Sequence, residues 1–179
     1  MIIVALIGLK KCGKTTTAEA LIREFKDRGY RVGGIKCMPN STITLDTEGK
    51  DTYRHRSAGA DFVISLSKGE IAFIGDTGGR ASIRDALGLI PEGTEVLICE
   101  GLTEEYPGIH RILLARDLDL LEETMKVRGV GDGILALSGL LSNQKKDHPI
   151  YPVFNCTERE GVSGLVDLII KKDQDNKAT

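Results

Sequence analysis

The chain has 179 residues, of which 41% are hydrophobic and 28% are charged, and its formal net charge is −2. This composition is typical of a single soluble globular domain, and with the small net charge it excludes a disordered chain and a global basic field for nucleic acid or an anionic membrane. No apolar run reaches the roughly 18 residues of a membrane span, the four cysteines form no C-x-x-C pair, and no basic segment opens the chain. We therefore expect a reduced, cytoplasmic protein without a signal peptide.

The first predicted strand leads directly into a phosphate-binding motif. Residues 2–7 are continuously apolar, which predicts a buried parallel strand. Residues 8–15 then read Gly-Leu-Lys-Lys-Cys-Gly-Lys-Thr and match G-x-x-x-x-G-K-[ST]. Helical periodicity follows over 18–25. The motif therefore lies between a strand and a helix, which is the geometry that it requires.

The chemistry of phosphate binding explains the residue types in this loop. Glycines let the backbone curl with its N–H groups inward, and the helix dipole adds positive potential. Lys14 is expected to reach the β- and γ-phosphates, and Thr15 to place its hydroxyl on Mg²⁺. The residues predicted to bind the phosphates are Gly8, Leu9, Lys10, Lys11, Cys12, Gly13, Lys14, Thr15 and Thr16.

The rest of the chain alternates between predicted strands and helices. Periodicity and turn residues predict strands at 31–36, 61–66, 70–74, 95–101, 109–115, 133–137 and 150–154, and helices at 51–58, 80–89, 118–126 and 160–171. The short link 67–69 predicts an antiparallel hairpin. We expect an α/β fold of three layers, with a mostly parallel sheet, one antiparallel hairpin and helices on both faces. We expect one domain at 1–171 and a polar, frayed tail at 172–179.

A carboxylate ends the second strongly apolar strand. If that strand lies beside the phosphate-loop strand, Glu100 is placed to hold Mg²⁺ with Thr15, directly or through water. Burying a carboxylate alone is costly, which favours a metal or lysine partner, although an exposed strand end is the simpler alternative. Gly101 would let the backbone pass close to the phosphates.

A polar loop at 37–50 and a charged segment at 46–60 follow the second strand. Loops of this kind at the phosphate edge often carry water-orienting or phosphate-sensing groups. Asp51 or Asp46 is the candidate for orienting an attacking water or a metal-bound water. Lys50 and Arg54 are candidates for phosphate contacts. The alternative is a solvated loop followed by a short helix that Asp51 caps.

Several of these motifs together resemble the MobB family, the molybdopterin-guanine dinucleotide biosynthesis protein B family. The resemblance implies the P-loop NTPase fold, GTP and Mg²⁺ as ligands, weak GTP hydrolysis and a homodimer. It also implies a role in attaching a guanine nucleotide to molybdopterin, with a MobA-like nucleotidyl transferase as partner. The matching strings are the phosphate loop, residues 28–36, Asp46-x-x-Gly49-Lys50-Asp51-Thr52-Tyr53, Arg56-x-Ala58-Gly59-Ala60 and Glu100-Gly101.

Two further features of the resemblance concern particular positions. The string at 51–54 is similar to the D-T-[FY]-R of signal-recognition GTPases, whose Asp positions the attacking water, and this favours Asp51. Cys37 stands where the family has His, and the guanine-reading motif [NT]-K-x-D is not evident, with only a near miss at 143–147.

Other functions use the same loop. One alternative is a small-molecule P-loop kinase, although no Arg-rich lid is evident. A second is an adaptor that binds nucleotide to hold a partner or deliver a metal during metalloenzyme maturation. Cys12, Cys37 and Cys156 are predicted at one edge of the sheet, which permits either a soft-metal thiolate site or small buried residues. Strand alternation turns Cys99 away from Glu100 and into the core.

Overall fold

The computed structural model describes residues 1–38, 45–79, 81–131, 133–144 and 147–178. Its strands are β1 (Ile2–Gly8), β2 (Val32–Lys36), β3 (Phe62–Leu66), β4 (Ile71–Gly75), β5 (Val96–Glu100), β6 (Ile109–Leu114) and β7 (Ile134–Ser138). Its α-helices are α1 (Lys14–Asp27), α2 (Asp51–Ser57), α3 (Ile83–Leu87), α4 (Asp119–Arg128) and α5 (Arg159–Ala178), and a 3-10 turn spans Leu140–Asn143.

The main sheet has five parallel strands in the order β2-β5-β1-β6-β7. Every residue of β1 is buried, as its unbroken apolar sequence predicts for a central parallel strand. The register sets Leu6 beside Glu100 and Glu100 beside Lys36. The carboxyl ends of β2, β5 and β1 therefore meet at the edge where the phosphate loop begins.

Alternate residues of the strands build two separate cores. On one face Val4 and Leu6 join Leu21 of α1 and Leu165 of α5 in a buried cluster. On the other face the alternate residues Ile3, Ala5 and Ile7 of β1 share a second buried cluster with Ile83 of α3 and Leu121 of α4. This is the predicted three-layer α/β fold with helices on both faces.

Strands β3 and β4 form a separate two-stranded antiparallel sheet, as predicted. The two-residue period of a strand puts one set of side chains on the same face. That face, here called the hairpin face, consists of five exposed side chains, Phe62, Ile64, Leu66, Ile71 and Phe73. The rings of Phe62 and Phe73 stack on it, with centroids 5.5 Å apart. The face thus displays a continuous apolar surface.

Most elements lie within two residues of their predicted bounds, but the last predicted strand, α3 and α5 differ more. The strand predicted at 150–154 is reduced to one bridge between Leu137 and Val153, because proline at position 152 has no N–H to extend a ladder. Helix α3 is shorter than predicted, since a capping box between Ser82 and Asp85 starts it late. Helix α2 begins at Asp51 with Lys50 as its N-cap, so Asp51 is not the cap.

Helix α5 continues through Ala178, beyond the expected boundary at 171, so residues 172–178 are helical in the structure. None of the described helices is long and apolar enough to cross a membrane. Parts of four predicted segments lie outside the described residues, namely 39–44 of the polar loop, Arg80 of the third helix, 145–146 of the near-miss guanine motif and Thr179 of the tail.

Candidate functional site

A cavity of about 920 Å³ opens at the carboxyl edge of the main sheet. Its walls come from the phosphate loop, the ends of β2 and β5, the end of α4 and the turn after β7. The described lining residues are Lys10, Lys11, Gly13, Lys14, Thr15, Thr16, Lys36, Cys37, Met38, Glu100, Gly101, Arg128 and Leu140. Most of the predicted phosphate-binding residues, with Glu100 and Gly101, therefore share one cavity.

The phosphate loop is packed closely against β6. A Cβ at Gly8 would lie 2.5 Å from the carbonyl oxygen of Leu114 and 2.6 Å from Sγ of Cys12, so only glycine fits there. Gly13 has a φ of +97° and permits the turn into α1. Nζ of Lys14 donates to the carbonyl oxygens of Gly8 at 3.1 Å and of Leu9 at 2.5 Å. The lysine therefore closes its own loop, and a phosphate would compete with these carbonyl oxygens.

Glu100 lies between the phosphate loop and β2. Oγ1 of Thr15 donates to its two carboxylate oxygens, at 3.1 and 3.2 Å, and Nζ of Lys36 forms an ion pair with Oε1. Glu100 is only 8% exposed, so the alternative of a solvent-exposed strand end is wrong. The lysine partner expected for a buried carboxylate is present.

Gly101 turns the chain away directly after Glu100. Its φ is +85°, and a Cβ there would lie 2.8 Å from the carbonyl oxygen of Cys37. Backbone hydrogen bonds hold the junction, because Gly101 N donates to Leu6 O at 2.9 Å and Cys37 N donates to Glu100 O at 2.8 Å. The glycine is thus required by its contact with the segment after β2, and it also lines the cavity.

The donor atoms at this edge fit Mg²⁺. The ion prefers hard oxygen ligands and keeps several of its waters. A hydroxyl from Thr15 and a carboxylate from Glu100 lie within hydrogen-bond distance of each other in the cavity wall. These two side chains are the residues that would hold the ion, directly or through water.

The charged segment after the polar loop lies elsewhere. Asp46, Lys50, Asp51 and Arg54 are not among the described residues that line the cavity. Oδ1 of Asp46 accepts from Oγ1 of Thr52 at 2.7 Å. Asp51 is exposed, and its Oδ1 lies 3.7 Å from Nη1 of Arg54. The structure does not bring these four residues to the phosphate loop, and their predicted roles stay predictions.

The cysteines separate onto the two faces of the sheet. Cys12 and Cys156 belong to the core that α1 and α5 cover, whereas Cys99 and Cys37 belong to or pack against the opposite core. Burial raises the pKa of the Cys37 and Cys156 thiols and raises the pKa of Cys99 to about 12. Within the described ranges no three His, Cys, Asp or Glu side chains converge on a metal position. The thiolate-cluster hypothesis therefore gains no support.

Two cationic residues of the cavity were not among the predicted site residues. Lys36 occupies the last position of β2, as Glu100 does in β5, and the rule that parallel strand ends meet at one edge could have identified it. Arg128 ends α4. No local pattern in the sequence distinguishes it from any other basic residue in the last turn of a helix.

The parallel sheet and the phosphate loop between β1 and α1 define the class of the protein, which is a P-loop NTPase fold. Comparison with protein families is more specific. Residues 3–130 match the family described as "Molybdopterin guanine dinucleotide synthesis protein B", and the chain belongs to that family.

Curated relatives and solved structures agree with this assignment. A Haemophilus influenzae relative described as a molybdopterin-guanine dinucleotide biosynthesis adapter protein is 30% identical over 76% of this chain and 73% of its own length. A similarly described Bacillus subtilis relative is 26% identical over 87% of this chain and 86% of its own length. A Methanocaldococcus jannaschii relative is 27% identical over 66% of this chain. The match spans about half (49%) of that relative's own length.

Two solved structures support the fold alone, since sequence identity is low. The crystal structure of B. subtilis MobB superposes with a TM-score of 0.71 at 21% identity, covering 94% of this chain and 98% of that one. HypB from Helicobacter pylori, solved in complex with nickel, gives a TM-score of 0.54 at 15% identity, covering 98% and 88% of the two chains.

Proposed function

We propose that this chain is a GTP-binding protein with slow hydrolysis that assists attachment of a guanine nucleotide to molybdopterin during molybdenum cofactor biosynthesis. The observation that carries the proposal is the cavity in which Lys14 and Thr15 of the phosphate loop lie beside Glu100. Apart from Leu140, every described residue of the cavity lies inside the segment that matches the family. The site and the family membership therefore concern the same part of the chain.

Each residue has a physical role in this proposal. Lys14 exchanges the loop carbonyl oxygens for phosphate oxygens, and its charge offsets that of the β- and γ-phosphates. Loop N–H groups and the positive end of the α1 dipole bind the same phosphates. Thr15 and Glu100 would hold Mg²⁺, directly or through water, and the ion would offset further phosphate charge. Glu100 would serve in that role in place of its ion pair with Lys36.

Slow turnover is the expected behaviour. Among the described residues that line the cavity, Glu100 is the single carboxylate, and Thr15 and Lys36 already engage it. Asp51 and Asp46 remain our candidates for orienting water, which requires the segment that carries them to approach the cavity. Without that approach, hydrolysis has no general base to activate the water. Nucleotide binding does not depend on this segment.

The same observation favours a second candidate, a nucleotide-binding adapter with no significant turnover. In that case GTP would hold a conformation that a partner or a metal-delivery process uses, and hydrolysis would be incidental. We propose a MobA-like nucleotidyl transferase as the partner, molybdopterin or its dinucleotide as the further ligand, and the cytoplasm as the location. Lys50 and Arg54 are exposed and are our candidates for contacts with the molybdopterin phosphate.

We also propose that the protein is a homodimer, formed through the hairpin face. The five side chains of that face are 46–74% exposed. Such a contiguous apolar surface is unusual on a monomer, and an isolated two-stranded hairpin is marginally stable. A two-fold contact requires a patch that complements itself. The hairpin face is compatible with this requirement, because its five side chains are uncharged and two copies of the face bring no like charges together.

Calorimetric titration with GTP and with ATP, each with Mg²⁺, tests the nucleotide assignment. We expect binding of GTP to be preferred and to be abolished in Lys14→Ala, while Lys26→Ala, an exposed lysine on the same helix, binds as wild type. A clear preference for ATP would remove the guanine assignment.

Hydrolysis measured with and without the nucleotidyl transferase separates the two candidates. Turnover that accelerates with the partner supports the slow GTPase. Tight GTP binding with negligible turnover in both samples supports the adapter.

A further inference from the structure

The phosphate-loop cavity contains more positive charge than the phosphate loop itself contributes. The described lining contains five cationic side chains, Lys10, Lys11, Lys14, Lys36 and Arg128, and one carboxylate, Glu100. This concentration occurs in a chain whose net charge is −2. A low-dielectric cleft with one sign of charge concentrates ligands of the opposite sign. The cavity is therefore suited to an anion with several charges.

The five cations are in different states. Lys14 is bonded to loop carbonyl oxygens and Lys36 to Glu100. Lys10 and Lys11 are exposed to solvent. Arg128 is half-buried, its Nε is shielded from solvent, and that atom has no hydrogen-bond partner among the described residues. Arg128 is thus the described cation of this cavity with a donor atom, Nε, that is bonded neither to a described protein group nor to bulk water.

The position of Arg128 on its helix does not explain this state. A basic residue in the last turn commonly interacts with the free carbonyl oxygens of a helix. In α4 the cap residue Gly129, with a φ of +64°, donates its backbone N–H to the carbonyl oxygens of Lys126 and Met125. The end of the helix is therefore capped without Arg128. A buried donor left without a partner is costly and indicates a missing ligand or water.

We infer that Arg128 is a phosphate-contacting residue of this cavity, delivered by α4 from outside the phosphate loop. Its guanidinium donates to phosphate oxygens of the bound nucleotide, and the side chain turns toward the cavity to bring the shielded Nε within reach of them. The planar guanidinium matches phosphate geometry in two parallel hydrogen bonds, which an ammonium group does not reproduce. The inference rests on the proposed function in one respect, namely that the ligand of the cavity carries phosphates.

Calorimetric titrations with Mg²⁺–GTP and with Mg²⁺–tripolyphosphate test this assignment on the full chain. Arg128→Met keeps the length and apolar stem of the side chain and removes its donors. We expect it to weaken binding of both ligands by about 10- to 100-fold. Arg128→Lys keeps the charge without the fork and should give a smaller loss. The matched control is Lys126→Met, an exposed position on the same helix outside the cavity.

A stability measurement separates ligand contact from a structural role. Without ligand, Arg128→Met should melt at or above the wild-type temperature, because the substitution removes an unsatisfied buried donor. With saturating tripolyphosphate its melting temperature should rise less than that of wild type. If Arg128→Met fails to fold, Arg128→Lys carries the test, with weaker binding at an unchanged ligand-free melting temperature expected.

Two negative binding results lead to different conclusions. Wild-type affinity for tripolyphosphate and GTP in both Arg128 variants would overturn the role of Arg128 and leave the proposed function standing. Absence of binding of either ligand to the wild-type chain would overturn the proposed function, and the role of Arg128 with it.

Discussion

Lys36 and Glu100 occupy matched final positions on the neighbouring parallel strands β2 and β5, and their side chains form an ion pair at the edge of the cavity. The side chain of Lys36 is 54% exposed and that of Glu100 is 11% exposed. The lysine is thus the more exposed partner, whereas the carboxylate is buried and also accepts from Thr15. Glu100 therefore has a cationic partner among the protein's own side chains, and under the proposed function Mg²⁺ would take the place of this lysine.

Glu100→Gln should remove the Mg²⁺ dependence of nucleotide binding. The amide keeps the size of the side chain and can still accept from Thr15, but it loses the charge that attracts the ion. We expect GTP affinity in the presence of Mg²⁺ to fall by about tenfold or more, with little change in EDTA. Titrations under the two conditions provide the measurement. Glu105→Gln is the control, since that side chain is 91% exposed, and an equal loss in both variants would contradict a metal role for Glu100.

Ile64→Lys should convert the proposed homodimer into a monomer. The substitution places a charge on the hairpin face, opposite Phe73 in the strand register. Two-fold symmetry buries this charge twice, so we expect the dimer dissociation constant to rise by at least about 100-fold. Light scattering after size exclusion gives the mass. Ser65→Lys, an exposed neighbour on the opposite face of β3, should leave the mass unchanged, and a monomeric wild-type chain would end the proposal.

Local signals in the sequence were sufficient for the elements around the phosphate loop. The apolar run of β1 and the glycine spacing are features of adjacent residues, and they predicted a strand, a loop and a helix that the structure contains. The placement of Glu100 followed from one further rule, that parallel strands end at a common edge. These parts of the fold require little knowledge of which distant segments pair.

The remaining differences arise from the way in which whole elements pack against one another. The segment with Asp46 and Asp51 was expected at the phosphates because it follows β2, but α2 packs against β3 of the separate hairpin sheet. Arg128 enters the cavity through the placement of α4. Pairing and helix placement of this kind depend on tertiary packing, to which local propensity is a weak guide.

Cys37 should be protected from alkylation when nucleotide binds. It is half-buried and lines the cavity, whereas the other three cysteines are buried. Burial raises the pKa of its thiol, with the charge of Glu104 adding to the effect and that of Lys36 opposing it. Reaction with N-ethylmaleimide should therefore be slow at pH 7 and faster as the pH rises. Saturating Mg²⁺–GTP should slow it by about tenfold, as measured by mass spectrometry, with Cys37→Ser as the control for background labelling. An unchanged rate would place Cys37 away from the bound nucleotide.

His110 should make the fold sensitive to mild acid. Its side chain is 5% exposed, and Nε2 lies 3.6 Å from Oδ1 of Asp173, an ion-pair distance that is too long for a hydrogen bond. Burial lowers the pKa of His110 below its usual 6.5, against the opposing effect of Asp173, while Lys177, 2.6 Å from Asp173, adds to the lowering. The unfolded chain therefore takes up this proton first as the pH falls. Stability from the neutral imidazole is complete well above pH 6.5 and is lost below it.

Urea unfolding at pH 7.5 and pH 5.5 measures this effect. We expect the free energy of unfolding to fall with decreasing pH by at most about 1.4 kcal/mol per pH unit from this one group. His110→Gln, which does not titrate, should be less stable at pH 7.5 and should show a smaller change between the two pH values. His55→Gln, at an exposed position, should retain the wild-type dependence. If His110→Gln keeps the full dependence on pH, the acid sensitivity belongs to another group, and the proximity of His110 to Asp173 serves packing alone.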